Sequence, residues 1–223
     1  MQTTIAIIGT LRSWTLEYKG QSNFPVGKLE LSLGQDFLQL DATGPMAETV
    51  NAMIGEAQGE PRLQATARVT ARQSQDGDIY TGLELIGLAP TTQANLGAAF
   101  SFVGIIGELS EKQGRSSTFT VPVLNLIGAD RTAVLPQVPV EMSFTRSEEE
   151  AQKAAWKNGY GMLGEISGQV TAFVSNSGRA YPKYRIESVS VSPLPDYLAG
   201  FGPQAATDPA LLAGDAAATG AVI

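Results

Sequence analysis

The chain has 223 residues, 43% of them hydrophobic and 17% charged, which is enough apolar material for a packed core and excludes a disordered, charge-rich chain. It contains neither cysteine nor histidine, so disulfides, thiolate and imidazole metal ligands, cysteine nucleophiles and the commonest general base are all excluded. Fifteen Lys and Arg against twenty-two Asp and Glu give a net charge of -7, which argues against any partner held by bulk charge and leaves nucleic acid only a localised basic groove. No apolar run approaches the roughly 20 residues needed to span a bilayer. The opening Met1-Gln2-Thr3-Thr4-Ile5 also lacks the basic start of a signal peptide. These features predict a cytoplasmic protein with no membrane association.

In chain order, Thr3 to Leu11 and Lys28 to Leu33 alternate or run apolar with β-compatible residues, and Phe37 to Leu40 makes a third short strand. Pro45 to Ala57 then spaces Met46, Val50, Met53 and Ile54 as a helix does, with proline in its first turn and Gly55 and Gly59 near its end. Leu63, Ala65, Ala67 and Val69 alternate with polar residues. Gln75-Asp76-Gly77-Asp78 supplies turn chemistry, and Ile79 to Leu88 reads as the return strand. The order is β-β-β-α-β-β.

The same order recurs about a hundred residues later. Ile7-Ile8-Gly9 matches Ile105-Ile106-Gly107 at an offset of 98, while Val69-Thr70-Ala71, Gly77 and Tyr80 match Val170-Thr171-Ala172, Gly178 and Tyr181 at 101. Phe102 to Leu109, Ser117 to Ile127 and Val138 to Phe144 are the predicted strands of the second copy. Ser147 to Asn158 is its helix, opened by a Ser147–Glu150 capping box. Ile166 to Val174 and Tyr181 to Val191 form the closing hairpin across Ser175-Asn176-Ser177-Gly178. Five strands with a helix between the third and fourth is the plan of the OB-fold. The expectation is an all-β chain with one helix per domain, built as two tandem OB-fold barrels at 1–92 and 97–193, joined by Thr91 to Leu96. Residues 194–223, rich in Ala, Gly and Pro, read as a flexible tail on which Leu211-Leu212 could dock.

Three segments of copy one resemble the bacterial single-stranded-DNA-binding protein family: Ile7-Ile8-Gly9-Thr10-Leu11 followed by Glu17-Tyr18, Phe37 to Gly44 with Met46-Ala47-Glu48, and Ala67 to Arg72 with Asp76-Gly77 and Tyr80. The family pattern has two aromatics six residues apart on the third strand. Copy one keeps Phe37 with Thr43, and copy two keeps Phe144 with Val138. The terminal Gly220-Ala221-Val222-Ile223 does not match the acidic tip through which the family recruits replication and repair proteins. The resemblance implies a non-catalytic protein that coats single-stranded DNA with little sequence preference in replication, recombination or repair. It also implies a homodimer that presents four OB domains, with no cofactor and no metal.

Binding of that kind needs aromatic faces for base stacking and cations along the phosphate path. The expected DNA-contacting residues are Trp14, Tyr18, Phe37, Arg68, Arg72 and Tyr80 in copy one, and Arg115, Phe144, Phe173, Arg179, Tyr181, Lys183, Tyr184 and Arg185 in copy two. Phe24 and Phe119 are further aromatic candidates. In a small barrel half of all strand residues face inward, so each aromatic is either core or binding surface. Trp156 and Tyr160, four apart on a helix, read as packing. Residues 1–97 hold six cations and ten acids and residues 98–192 nine of each, which makes copy two the better electrostatic site. Asp76/Asp78 and Asp36/Asp41 could bind Mg²⁺ in a nuclease, but the first pair is what a turn requires anyway. Gly104-Ile105-Ile106-Gly107 lies within a predicted strand and is no phosphate loop. A second reading, favoured by the charge of -7, is an OB-fold used for protein contacts or as a virion-type structural component.

Overall fold

The computed structural model describes residues 4–57, 59–73, 79–114, 117–127, 138–175, 178–196 and 198, without the side chains at 71–73, 79, 80, 138 and 139. The expectations for Asp76, Gly77, Asp78, Arg115 and the tail beyond 198 lie outside the described residues. Strands β1 (Thr4–Lys19), β2 (Phe24–Ser32) and β3 (Phe37–Thr43) precede helix α1 (Pro45–Glu56), and β4 (Arg62–Gln73) and β5 (Ile79–Pro90) follow it. The second copy gives β6 (Gly97–Gln113), β7 (Thr118–Leu126), β8 (Val138–Ser143), α2 (Glu149–Asn158), β9 (Leu163–Val174) and β10 (Ala180–Ser192).

Each set of five strands closes on itself. β1 pairs with both β2 and β4, β3 pairs with β2 and, in parallel, with β5, and β4 pairs with β5. The second set repeats every pairing: β6 with β7 and β9, β8 with β7 and, in parallel, β10, and β9 with β10. These are two OB-fold barrels. Alternation drives the closure. In copy one Ile5, Ile7, Leu29, Leu31, Leu38, Leu40, Leu63, Ala65, Leu83 and Leu85 all face the interior, and their polar neighbours face out.

The register shows that the copies are one design. Val69 lies opposite Leu83 and Val170 opposite Tyr184, so an offset of 101 carries the closing hairpin of the first barrel onto that of the second. The bulge moves with it, because the register slips between Thr66 and Ala67 in copy one and between Ile186 and Ser188 in copy two, which skips Ile86 and Glu187 in turn. The 98-residue match of Ile7-Ile8-Gly9 with Ile105-Ile106-Gly107 does not survive. Gly9 pairs with Leu63 and Gly104 with Gly164, so the barrels superpose Gly9 on Gly104. The physical reason is close approach, since a Cβ on Gly9 would sit 2.8 Å from Leu31 and one on Gly104 would sit 2.4 Å from the Asn125 carbonyl.

β1 runs eight residues past its expected end at Leu11, and β6 starts five residues before Phe102. Both extensions have partners. Leu11 to Lys19 pairs with β2 as a long hairpin arm, and Thr4 to Ile8 pairs antiparallel with Gly97 to Ser101 of β6. The two barrels are thereby fused through their first strands into a ten-stranded arrangement with one continuous hydrophobic core.

The helices close the barrels. α1 starts at Pro45 after Gly44, whose φ of 57° suits glycine, and it buries Ala47 and Val50 with Met46, Met53 and Ile54 packed beside them. The expected capping box on α2 does not form: its N-cap is Glu148, with no side-chain cap bond. Gln152 closes the turn instead, accepting from the Thr145 N–H at 3.1 Å and donating to Glu148 at 3.2 Å. Trp156 is core, as expected, and its indole N–H donates to the Gly107 carbonyl at 3.0 Å. Tyr160 is not packed but exposed, because the chain has left the helix at Gly159.

Gly168 tests this geometry. It pairs with Phe100 on one side and Ile186 on the other, and a Cβ there would lie 1.9 Å from the Arg185 carbonyl oxygen. Gly168→Ala is expected to destabilise the protein by at least about 1–3 kcal/mol through overpacking. Gly82→Ala, whose Cβ meets nothing closer than 3.4 Å, should be near neutral in the same urea unfolding experiment.

Candidate functional site

The outer face of the β9–β10 hairpin gathers the densest set of expected contact residues. Arg179, just before β10, and Tyr181, Lys183 and Arg185 within it alternate with inward residues, so all four project outward. Tyr181 lies directly opposite Phe173 of β9, and the two rings are 41% and 51% exposed. Lys183 holds its ammonium 4.8 Å from the Phe173 ring centre, and the Arg179 guanidinium sits 5.3 Å from that of Tyr181. Arg185 donates to Gln169 across the ladder. Among the described residues, none of these three cations has a carboxylate within 4 Å. They are therefore available to an external anion.

Copy one uses the same positions differently. At the offset of 101, Gln169 and Arg185 correspond to Arg68 and Glu84. Arg68 projects outward, but its guanidinium bonds Glu84 at 2.7 Å. Arg12 and Lys19 also have carboxylate partners, in Glu30 at 3.6 Å and Glu17 at 3.9 Å. Lys183 corresponds to Gly82. Arg72 and Tyr80 are paired in register at the far end of the β4–β5 ladder, but their side chains are outside the described residues.

Three of the expected stacking residues are in the core, which corrects their assignment as open faces. Phe37 is buried, and the Arg12 guanidinium covers its ring at 3.9 Å. Phe144 is buried edge-on against Trp156 at 6.2 Å. Tyr184 falls on the inward phase of β10 and packs edge-on against Phe102 at 5.1 Å and Phe100 at 5.5 Å. Trp14 is half-buried. Its ring lies on Gly27, where a Cβ would come within 2.0 Å of it, and its indole N–H donates to Asn51 of α1 at 3.1 Å. Alternation alone cannot separate these from surface rings until the phase of each strand is fixed.

The first hairpin of each barrel adds a second kind of exposed aromatic. Phe24 lies across from Lys19 at the tip of β1–β2, beside exposed Tyr18, and Phe119 lies across from Lys112 at the tip of β6–β7. Both phenylalanines lie at the end of a long hairpin arm, a signal readable only once β1 and β6 are known to extend so far. A cleft of about 240 Å³ lies between copy one and the start of β10, and it includes Lys28 and Gln39, two residues that no sequence pattern singles out. Among the described residues no group of three or more Asp or Glu could hold a metal, and no helix is long and apolar enough to cross a membrane.

The same fold occurs among solved structures. The wild-type single-stranded DNA-binding protein from Thermus aquaticus superposes with a TM-score of 0.63, covering 87% of this chain and 94% of that one at 12% identity. A deletion variant of the same protein superposes at 0.58, covering 87% and 96% at 13% identity. The likeness spans both barrels and shows a shared fold. No protein-family model and no curated protein sequence matches the chain.

Tyr184 gives the site's core a pH signature. Burial pushes its phenol above the ordinary value of 10.0, and its hydroxyl has no hydrogen-bond partner among the described residues. The folded state therefore resists ionisation that the unfolded chain undergoes, so this stability is full below about pH 10 and is lost as pH rises above it. Tyr184→Phe is expected to stabilise by about 1 kcal/mol at neutral pH, by removing an unpaired buried hydroxyl. It should also blunt the alkaline loss, both read from urea midpoints at pH values on either side of 10.

Proposed function

We propose that this protein coats single-stranded DNA with little sequence preference. The observation that carries the reading is the outer face of the β9–β10 hairpin, where the exposed rings of Phe173 and Tyr181 interleave with Arg179, Lys183 and Arg185, none held by an acid among the described residues. Rings stack on any base, and unpaired cations replace the counterions of any phosphate, so the chemistry is indifferent to sequence. In an OB-fold the second and third strands and the first and last hairpin loops are the oligonucleotide-binding parts. Phe24, Phe119, Phe173 and Tyr181 all lie there. The fold shared with the Thermus aquaticus protein, which its name describes as binding single-stranded DNA, supports the same reading.

The reading includes two tandem domains, 1–92 and 97–193, followed by a tail from 194 to 223. Copy two is its stronger half, since copy one neutralises Arg12, Lys19 and Arg68 internally. It assigns the protein a non-catalytic role in replication, recombination or repair, in the cytoplasm, as a homodimer with four OB domains, in which replication or repair proteins are partners. A net charge of -7 favours a second reading, a scaffold for protein contacts that binds no DNA.

Anisotropy titration of labelled oligothymidine at low and moderate salt separates the two. Saturable binding that weakens with salt is expected. Lys183→Ala with Arg185→Ala should lower the slope of log affinity against log salt by about 1.4, at roughly 0.7 for each phosphate no longer neutralised. Phe173→Ala should cost about 1–3 kcal/mol. Arg68→Ala should change little, because that guanidinium is already paired with Glu84. Absence of binding at low salt would support the scaffold reading.

A further inference from the structure

We infer that the cleft between the two copies is a composite nucleotide subsite, in which copy two completes the binding face of copy one and the DNA strand crosses from one barrel to the other. The inference rests on the single-stranded DNA reading and names where its track is continuous. Copy one contributes Lys19, Val26 and Lys28 from its first hairpin, Gln39 and Asp41 from β3, and Thr81, Gly82 and Leu83 from β5. Copy two contributes Arg179 to Pro182. The cleft thus lies on the second and third strands of copy one, the oligonucleotide face of an OB barrel.

What copy one lacks there, copy two supplies. Its third strand carries Thr43 where an aromatic would stack, its Phe37 is buried under Arg12, and its Arg68 is tied to Glu84. Tyr181 brings a half-exposed ring to the cleft, and Arg179 brings a guanidinium with no acid within 4 Å among the described residues. Lys28, for which the same holds, stands on the opposite wall, so two cations without an acid partner, Arg179 and Lys28, face one carboxylate, Asp41, while Lys19 beside them is paired with Glu17 at 3.9 Å. The charge balance favours a phosphodiester. At about 240 Å³ the cleft is smaller than the 300–1,000 Å³ of drug-sized sites, which suits one base and its phosphate and not a folded ligand. The Gln39 amide and the Thr81 hydroxyl each offer both donor and acceptor to a base edge, which matches binding without sequence preference.

Gly82 makes the test clean. A Cβ there meets only Thr70 Oγ1 at 3.4 Å and Asp41 Oδ2 at 3.8 Å, so the backbone accepts a side chain, and Gly82→Leu plugs the cleft without changing charge. Lys28→Glu, at an exposed strand position, changes charge without filling it. Both full-length variants are titrated with an oligothymidine of about eight nucleotides, the length one OB domain covers, and with one of about thirty. Each variant should bind the long strand about fivefold or more weakly, Gly82→Leu through loss of roughly one stacked base and Lys28→Glu through replacement of a phosphate-facing cation by an acid. Each should keep the short-strand affinity within about twofold, since Phe173, Lys183 and Arg185 of the copy-two hairpin do not line the cleft, and this also reports that the variant is folded. Lys157→Glu, on exposed α2, is the charge control and should leave the long-strand loss unreproduced. Unchanged long-strand affinity in Gly82→Leu overturns the composite subsite while leaving DNA binding intact. Failure of the wild-type protein to bind either length overturns the single-stranded DNA reading itself, and the subsite with it.

Discussion

The whole arrangement depends on the first strand of each barrel serving two partners at once. Thr4 to Ile8 closes the first barrel against β4 and at the same time pairs with Gly97 to Ser101, which in turn closes the second barrel through β9. A strand with partners on both edges has its amide rows satisfied, so the ladder covers an edge that small barrels must otherwise protect. The same ladder sets the distance between the copies. It brings the β9–β10 hairpin of the second barrel onto β3 of the first and creates the cleft that each barrel alone would lack.

Within that shared frame the copies have diverged in charge while keeping register. One cross-strand position holds Arg68 and Glu84 in copy one and Gln169 and Arg185 in copy two. An exposed pair with both charges present gains little for stability and presents no net field. Replacing the pair by an amide and a guanidinium leaves the cation unmatched. Gly82 and Lys183 repeat the contrast two residues away. Local substitutions of this kind explain how a chain with an excess of seven acids still carries a basic surface.

Much of this is legible from the residues. The duplicated β-β-β-α-β-β order, both helices, the closing hairpins and the shared face of Lys183 with Arg185 follow from periodicity and turn chemistry, because those signals are local. The first-strand alignment at an offset of 98 fails because two Ile-Ile-Gly triplets are alike in composition alone. The barrel instead equates the glycines over which the second strand closes, and closeness of approach is a tertiary property. Phe37, Phe144 and Tyr184 depart from expectation for a related reason. Alternation tells which residues share a face but not which face is inside, and Tyr184 is separated from Lys183 and Arg185 by that phase alone. The cleft is illegible in sequence because its two walls come from positions about a hundred residues or more apart.

Amide hydrogen exchange with and without long oligothymidine is the most direct measurement of the central claim, that bases and phosphates meet the protein on the outer hairpin of copy two. The account predicts slower exchange on binding in the β9–β10 hairpin, around Thr171 to Phe173 and Tyr181 to Arg185. The amides of α1 and α2, which are not part of that hairpin, should keep their rates. Protection confined to the helices, with the hairpin unchanged under saturating DNA, would contradict it.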